Sequence, residues 1–500
     1  MIPNRLGPET IHVHICNDVL NVMLNFLPLT NIFSVRLLNK YYRKFIDTDF
    51  MMENYVHSKT NKIIIKKYSR CLKKIVIHGN SNGNSNDDMV DNYLAACNKL
   101  EFLDLKYGSN ITDEGLKYIP NIKHISLNFN KLITDRGLEY IPRIVNLSLI
   151  RNNNITDEGL KYIQNVQKLC IGLNNNITDE GLKYIPNITS LDIHRNLPEE
   201  KLYHSLWYQP LVRQNNNITD EGLKFIPNIK SLSLSQNNNI TDGGLKFIPN
   251  IKSLNISQNN KITDEGLKFI PNIIILSLGY NEKITDKGLK YIRNVRSLNL
   301  HNNNNITDKG LKSIPYVRYL NLNYNILITY EVLKYVPNIC YLYLNCNKLI
   351  TNEGLKYLSH IKYLDLNANN NITDEGLLFI PNISKLTMHD NTQITDEGLK
   401  YISNVKKLIL HNNNNITDEG LKYIPHVCTL DLHCNNNITD EGLKYISNIQ
   451  KLYLYHNTNI TDEGLKYISN VKKLKLYHNA NITEAGLKYV PNITNYKHVH

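Results

Sequence analysis

The 500-residue sequence lacks the features on which several protein classes depend. It has no run of 18 apolar residues, so no segment is long enough to cross a membrane as a helix, and we expect no membrane partner. Its first residues, MIPNRLGPETIHVH, hold no apolar stretch of the signal-peptide type. We therefore expect an intracellular, cytoplasmic protein, with a nuclear location also open.

Clustered cysteines are also missing, since the eight cysteines are scattered and form no Cys-x-x-Cys pair. Cys340 and Cys346 are six residues apart, as are Cys428 and Cys434, but no histidine stands at a ligand spacing common to both pairs. We therefore expect reduced, structural cysteines and neither a metal nor a cofactor, which suits an intracellular compartment.

Neither concentrated charge nor a catalytic pair is present. The formal net charge is +12, but the excess of basic residues is spread along the chain. We therefore do not expect a nucleic-acid partner. We find no nucleophile and base whose arrangement indicates a hydrolase, so we expect a binding protein with no catalytic residues of its own rather than an enzyme.

One phrase is abundant instead: ITDEGL begins at 111, 155, 177, 218, 262, 372, 394, 416, 438 and 460. Units begin at 111, 133, 155 and 177, a degenerate one follows at 197, and from 218 they recur every 22 residues to 482. An earlier, weaker unit begins near Met89. Because a catalytic or metal-binding role for Thr-Asp-Glu needs converging carboxylates, and these would lie in rows on an outer edge, we expect a scaffold role.

The unit at 218 shows how the pattern predicts structure. Leu232 and Leu234 alternate with serines, which is typical of a strand with one buried face. Asn237 follows three residues later, and its equivalent is Asn in every regular unit; we expect these side chains to stack and satisfy backbone groups where each coil leaves the sheet.

The opening of the same unit predicts a tight, 3₁₀-like turn. Thr219 is a candidate helix N-cap, and Asp220 and Glu221 suit the positive end of the helix dipole. We expect Gly222 to allow close approach between coils. The buried residues of the turn should be Leu223, Ile226 and Ile229.

Periods of 20 to 29 residues with an Ile-x-x-Leu-x-Leu-x-x-Asn frame are typical of leucine-rich repeats. We therefore predict an α/β solenoid, a parallel β-sheet array with short helical or 3₁₀ convex turns. The ITDEGL phrase resembles the repeats of F-box/leucine-rich-repeat proteins over about residues 72 to 500. The units here are shorter than is usual in that family, and Asn replaces its signature Cys after the strand.

Residues 15–46, ICNDVLNVMLNFLPLTNIFSVRLLNKYYRKFI, predict three short helices. This stretch is similar to the F-box, with Cys16 where the family usually has Pro and Tyr42 where it usually has Trp. The resemblance implies docking to the Skp adaptor of a cullin-RING ubiquitin ligase. The positions it implies for that contact are Ile15, Leu20, Leu24, Leu27, Pro28, Leu29 and Leu37. A helical cap over the first coil is the alternative.

We expect three regions along the chain. Residues 1–50 form an F-box-like helical domain, and residues 51–88 a connector with the first strand and a polar loop. Residues 89–500 form a solenoid of about 19 units, of which the degenerate one at 197–217 contains the only tryptophan, Trp207. The last unit lacks a proper strand in this pattern, so we expect its NYKHVH tail to cap the open edge.

Specificity should lie where the units differ, at the outward strand residues 13, 15 and 17 places after the initial Ile. The candidate target-binding residues on the expected concave face are Tyr319, Tyr341, Tyr343, Tyr363, His389, His411, His433, Tyr453, Tyr455, Lys473, Lys475 and Tyr477. Tyr and Lys favour an acidic or phosphorylated partner surface. A plain ladder of stacked polar residues, a metal or pH role for the histidines, and drift under biased codons remain alternatives.

We therefore predict a non-catalytic protein-interaction protein that recruits a target to a cullin-RING (SCF-type) ubiquitin ligase. Its partners would be an Skp-type adaptor and cullin through the F-box, and an unknown target on the concave face. The alternative is a leucine-rich-repeat binding scaffold or decoy that does not promote ubiquitination.

Overall fold

The computed structural model describes residues 73–78, 91–106, 111–193, 217–479, 481–491 and 495–499. They fall into two units that meet in the sequence between Asn217 and Ile218. Each unit is a stack of coils in which a short strand is followed by a turn and a single turn of helix. The units are described separately.

The first unit contains a parallel sheet in which each strand pairs with the next along the chain. Its strands are β1 (Lys74–His78), β2 (Phe102–Lys106), β3 (His124–Ser126), β4 (Asn146–Ser148), β5 (Lys168–Cys170) and β6 (Ser190–Asp192). Its helical turns are Asp91–Leu94, Asp113–Leu116, Asp135–Glu139, Asp157–Leu160 and Asp179–Leu182.

The second unit repeats this arrangement over more coils, again with every strand parallel to its neighbour in sequence. Its strands are β7 (Ser231–Ser233), β8 (Ser253–Asn255), β9 (Ile275–Ser277), β10 (Ser297–Asn299), β11 (Tyr319–Asn321), β12 (Tyr341–Tyr343), β13 (Tyr363–Asp365), β14 (Lys385–Thr387), β15 (Lys407–Ile409), β16 (Thr429–Asp431), β17 (Lys451–Tyr455), β18 (Lys473–Tyr477) and β19 (Asn495–Val499).

The helical turns of the second unit occupy the opposite side of each coil. They are Asp220–Leu223, Asp242–Leu245, Asp264–Leu267, Asp286–Leu289, Asp308–Leu311, Asn352–Leu355, Asp374–Leu377, Asp396–Tyr401, Asp418–Leu421, Asp440–Leu443, Asp462–Leu465 and Glu484–Leu487. The 3₁₀ segments are Tyr330–Tyr335, Lys444–Ile446 and Lys466–Ile468.

The core follows the repeat as predicted. In the unit at 218, Leu223, Ile226 and Ile229 are fully buried, and the strand Ser231–Ser233 buries only its central leucine. The predicted 3₁₀-like turn begins instead as one turn of α-helix, and tighter i→i+3 bonds follow, such as that from the Ile229 amide to the Ile226 carbonyl at 3.1 Å. Because equivalent residues pair across strands 22 positions apart, each core side chain stacks on its counterpart.

The predicted asparagine ladder is present in both units. In the coil around Asn259, the side-chain amide donates to the Ile240 carbonyl at 3.1 Å, and its oxygen accepts from the Lys261 and Ile262 amides at 2.8 and 2.9 Å. Asn259 is fully buried. The ladder therefore satisfies backbone groups that the turn removes from water, which is the role expected for it.

The Thr-Asp-Gly positions form a link between coils that the sequence pattern alone does not reveal. Thr219 caps its helix as predicted, since its hydroxyl accepts from the Glu221 amide. Asp220 contacts the next coil: its Oδ1 accepts from the Thr241 amide at 2.8 Å, and its Oδ2 accepts from the Thr241 hydroxyl at 2.6 Å. A Cβ at Gly244 would lie 2.2 Å from the same Oδ1. The glycine is therefore required for close approach between coils, as expected.

One coil varies this link without losing it. Asn352 replaces the aspartate; its oxygen accepts from the Thr373 amide at 3.0 Å and its amide donates to the Thr373 hydroxyl at 2.8 Å. Thr373 then makes no side-chain cap bond. An asparagine amide can therefore keep the coils in register, but the Thr373 hydroxyl no longer caps its own helix.

The predicted α/β solenoid with a parallel sheet is confirmed for the described residues. The expectation that the last unit has no strand is wrong, because Asn495–Val499 pairs in parallel with β18. The F-box-like region, the polar loop at 79–88 and most of the degenerate unit at 197–217, with Trp207, lie outside the described residues. In the part of the chain that the structure describes, no helix is long and apolar enough to span a membrane.

Candidate functional site

The varying residues lie on the face of the sheet that points away from the buried leucines. We call the outward residues of β7–β18, 13, 15 and 17 places after the initial residue of each unit, the open sheet face; from the sequence we expected this face to be concave. In β7–β10 these residues are mostly small, such as Ser231, Ser253 and Ser297. From β11 onward they become aromatic and then cationic, and strand register places equivalent residues directly beside each other.

Four tyrosines of β11–β13 pack ring against ring and form what we call the tyrosine patch: Tyr319, Tyr341, Tyr343 and Tyr363. The ring centroids of Tyr319 lie 6.3 Å from Tyr341 and 5.3 Å from Tyr343. Tyr343 meets Tyr363 edge to face at 4.7 Å. Such pairs stabilise one another beyond simple burial. Tyr341 is 47% exposed and Tyr363 only 4% exposed, so Tyr363 supports the patch and Tyr341 is accessible.

The three predicted histidines lie side by side two residues beyond the ends of β14, β15 and β16, as their common offset requires. His389 stacks on His411 with ring centroids 3.8 Å apart, and His411 lies 4.9 Å from His433. Burial, together with the neighbouring His411, lowers the pKa of His389 to about 4. His389 is therefore neutral at neutral pH.

The histidine row ends against other side chains of the open sheet face. His433 stacks on Tyr455 at 4.9 Å. Nε2 of His411 lies 3.1 Å from Oδ1 of Asp431, although the approach does not have hydrogen-bond geometry. Among the described residues, no group of three or more His, Cys, Asp or Glu side chains is arranged to hold a metal.

A row of lysines continues the tyrosine column, and the candidates named from the sequence did not include Lys385 or Lys407. Lys385, Lys407, Lys451 and Lys473 are the first residues of β14, β15, β17 and β18, with Thr429 between them in β16. We call these four the lysine row. Nζ of Lys385 lies 3.8 Å from the ring centroid of Tyr363, so the row begins where the tyrosine patch ends.

Two aspartates on the same face were also missed, although they stand 15 places after the initial Ile of their units. Asp365 is 7% exposed, and burial raises its pKa to about 6 despite the nearby Lys385. Burial and the adjacent Lys407 lower the pKa of Lys385 to about 8. The offsets already used for the tyrosines would have found Asp365, Asp431, Lys385 and Lys407.

The remaining predicted residues also belong to the open sheet face. Tyr453 lies beside Lys473 and Lys475, whose Nζ atoms are 5.9 and 5.2 Å from its ring centroid. Tyr477 belongs to β18, but its side chain lies outside the described residues. The predicted adaptor-contact residues also lie outside them: Ile15, Leu20, Leu24, Leu27, Pro28, Leu29 and Leu37.

Two of the described cysteines, Cys97 and Cys170, are poorly suited to react as nucleophiles. None of the described cysteines takes part in a disulfide bond: Cys97, Cys170, Cys340, Cys346, Cys428 and Cys434. Burial raises the pKa of Cys97 to about 12, and burial with the nearby Asp192 raises that of Cys170 to about 11. Because the thiolate is the reactive form, these two thiols are poor nucleophiles.

Three solved structures resemble this chain at low sequence identity. An internalin (InlF) of Listeria monocytogenes is 20% identical, with 69% of this chain and 89% of that chain covered and a TM-score of 0.43. TLR13, in a complex with ssRNA13, is 18% identical over 81% of this chain and 67% of that chain, with a TM-score of 0.55. Rad7, in the yeast Rad7–Elc1 complex, is 17% identical over 56% and 84%, with a TM-score of 0.43. At such identities the likeness concerns the fold alone.

No curated protein matches this sequence significantly. A family model described as "Leucine Rich repeat" does match, over residues 96–119, 118–141, 150–163, 164–185, 226–248, 247–270, 271–292, 291–314, 337–359, 357–380, 401–424, 425–447 and 445–469. These segments cover more than half of the chain and coincide with the coils described above. The chain therefore belongs to the leucine-rich-repeat family.

Proposed function

We propose that this protein is a substrate receptor of a cullin-RING ubiquitin ligase, with the adaptor at its N-terminal region and the target on the open sheet face of the second unit. Its leucine-rich repeats indicate a protein-interaction scaffold. Holding the target near ligase-bound ubiquitin raises its effective concentration there, so this chain needs no catalytic residue of its own. The proposal places the protein inside the cell.

The tyrosine patch is the observation that carries the target-binding part. Its rings are held by one another, so they lose little side-chain freedom when a partner binds. Tyr341 presents almost half of its surface to solvent at the end of this group, beside Tyr319. Tyrosines in such settings carry a large share of the energy of protein interfaces.

The adaptor part rests on the F-box resemblance of residues 15–46, which lie outside the described residues. Leu20 and Leu24 are two of the apolar positions that the resemblance assigns to the adaptor contact. Placing carboxylates there would desolvate charge in an apolar interface, which opposes docking strongly.

The test is capture of the full-length protein from cells, followed by mass spectrometry for Skp adaptor and cullin. We expect both with the natural sequence and neither with Leu20→Asp combined with Leu24→Asp. Tyr341→Ala is the matched control, since it should keep the adaptor and lose the target. Absence of adaptor and cullin, or capture unchanged by the double substitution, would reject the ligase proposal. Retained adaptor with no ubiquitinated target would favour a decoy.

A further inference from the structure

Lysines on the two sides of the second unit have different partners. On the side of the helical turns, lysines pair with the glutamate three residues earlier: Lys224, Lys268, Lys334, Lys356, Lys400, Lys422, Lys444 and Lys466. On the open sheet face, no Asp or Glu among the described residues forms an ion pair with any member of the lysine row. Within the described residues, the lysines of the helical turns therefore have an ion-pair partner and those of the lysine row do not.

The lysine row brings like charges together. Lys385 is the register partner of Lys407, and Lys451 that of Lys473, on strands about 4.8 Å apart. Like charges directly opposite each other on neighbouring strands are destabilising. Burial, together with Lys451 and Lys473, lowers the pKa of Lys407, although Asp431 acts in the other direction. A bound anion would relieve this repulsion.

We propose that the lysine row binds an extended segment of the target protein that is rich in Asp and Glu. This inference rests on the proposed target-binding function of the open sheet face and names the chemistry of its partner. From β14 to β18 the row spans four strand intervals, about 19 Å, which about six extended residues cover. Carboxylates of such a segment supply counter-charge beyond that of Asp365 and Asp431, neither of which forms an ion pair with the lysine row.

A protein segment fits this face better than a nucleic acid does. Binding of single strands combines backbone charges with aromatic faces on which bases stack. Here the rings already cover one another: Lys385 lies over Tyr363, His389 stacks on His411, and His433 stacks on Tyr455. Next to the lysine row, these rings are therefore already covered, and the exposed Tyr341 lies outside the row.

The test measures binding of a fluorescein-labelled, glutamate-rich peptide of about 12 residues to the purified full-length protein by fluorescence anisotropy. One variant changes Lys385, Lys407, Lys451 and Lys473 to Gln. The matched control changes four lysines on the side of the helical turns to Gln and so removes the same net charge: Lys356, Lys400, Lys422 and Lys444. A third variant changes the lysine row to Arg and keeps its charge.

We expect the Gln variant of the lysine row to weaken peptide binding about tenfold or more and to reduce its salt dependence. The control should change binding less than about threefold, and the Arg variant should retain it. Circular dichroism checks that all variants fold. Equal losses in row and control variants would show a general charge effect and overturn the proposal. So would tighter binding of a labelled oligo-uridine than of the peptide.

Failure of this inference and failure of the ligase proposal can be told apart. The anisotropy measurement uses the purified chain without adaptor or cullin, so their absence in cells leaves it unaffected. If the peptide does not bind but Tyr341→Ala still loses the target in cells, the target-binding face stands and its acidic preference is wrong.

Discussion

Replacing Gly244 with Ala should destabilise the second unit, whereas the same change at the adjacent Gly243 should not. A Cβ at Gly244 would lie 2.2 Å from Oδ1 and 2.9 Å from Cγ of Asp220 in the preceding coil. A Cβ at Gly243 meets its nearest atom, Oδ2 of Asp220, at 3.3 Å. Most other units carry a residue with a Cβ at that position, such as Glu265.

The magnitude follows from what the new methyl group displaces. Asp220 accepts two hydrogen bonds from Thr241, at 2.8 and 2.6 Å, each worth about 1.5 kcal/mol for a charged acceptor. Losing both costs about 3 kcal/mol, and the helix preference of Ala over Gly returns about 1 kcal/mol. We therefore expect Gly244→Ala to lower the unfolding free energy by about 2 kcal/mol and Gly243→Ala to raise it by at most about 1 kcal/mol.

The assay is urea unfolding of the full-length protein followed by circular dichroism, with a double-mutant cycle that includes Asp220→Ala. In the Asp220→Ala background the clashing carboxylate is absent and only Leu223 Cδ1, at 3.2 Å, stays close to the new Cβ, so Gly244→Ala should cost little. Equal stability of the Gly244→Ala and Gly243→Ala proteins would refute the reasoning. So would a Gly244→Ala cost that is the same whether or not Asp220 is present.

Two further predictions concern the turn after the strand and the buried charges. Ala368 has a φ of 51°, which Gly adopts without strain, so Ala368→Gly should raise the unfolding free energy by about 1 kcal/mol. Ala485 lies in a helical turn, so Ala485→Gly should lower the unfolding free energy by about 1 kcal/mol. The reverse order of stabilities in urea unfolding would contradict this reasoning. The folded protein favours the protonated form of Asp365, whose pKa is raised to about 6, so the unfolding free energy should fall by at most about 3 kcal/mol as pH rises from about 4 to about 6. It favours the neutral form of His389, whose pKa is lowered to about 4, so the unfolding free energy should fall as pH decreases from about 6.5 to about 4. When the unfolding free energy is measured against pH, Asp365→Asn should abolish the fall with rising pH, and His389→Gln should abolish the fall with decreasing pH. A pH dependence that neither substitution changes would reject both assignments.

Much of the fold could be predicted because the repeat makes the same residue do the same work many times. Leu232 and Leu254 are 22 residues apart and become neighbours only if successive units form parallel strands in register. The strands, the buried core and the parallel sheet could therefore be predicted from the repeat. The buried asparagine ladder was also predictable, since a polar residue constant at a turn must satisfy backbone groups.

Features that depend on contacts between coils could not be predicted in this way. The partner of Asp220 is a threonine 21 residues away, and a first-turn aspartate is equally well explained by the helix dipole. The turns after β3–β5 and β7–β18 adopt a positive φ with residues as different as Leu173, Tyr324 and Ala368, so composition gives no signal for it.

The sequence predicted which residues lie on the open sheet face but not how exposed each of their side chains is. Offset alone treats Tyr341 and Tyr363 as equals, whereas packing leaves one 47% and the other 4% exposed. Neighbours on the adjacent strands decide this difference, and only the assembled coils show them.

We propose that the constant positions build the scaffold and that the varying open sheet face of the second unit binds the target. Tyr341 on that face and Tyr357 beside a helical turn are each 47% exposed, so a photo-crosslinking amino acid at either site has equal access to solvent. In cells, the full-length protein should crosslink to one target protein from position 341 and not from position 357. Crosslinking of that target from position 357 alone would contradict the account.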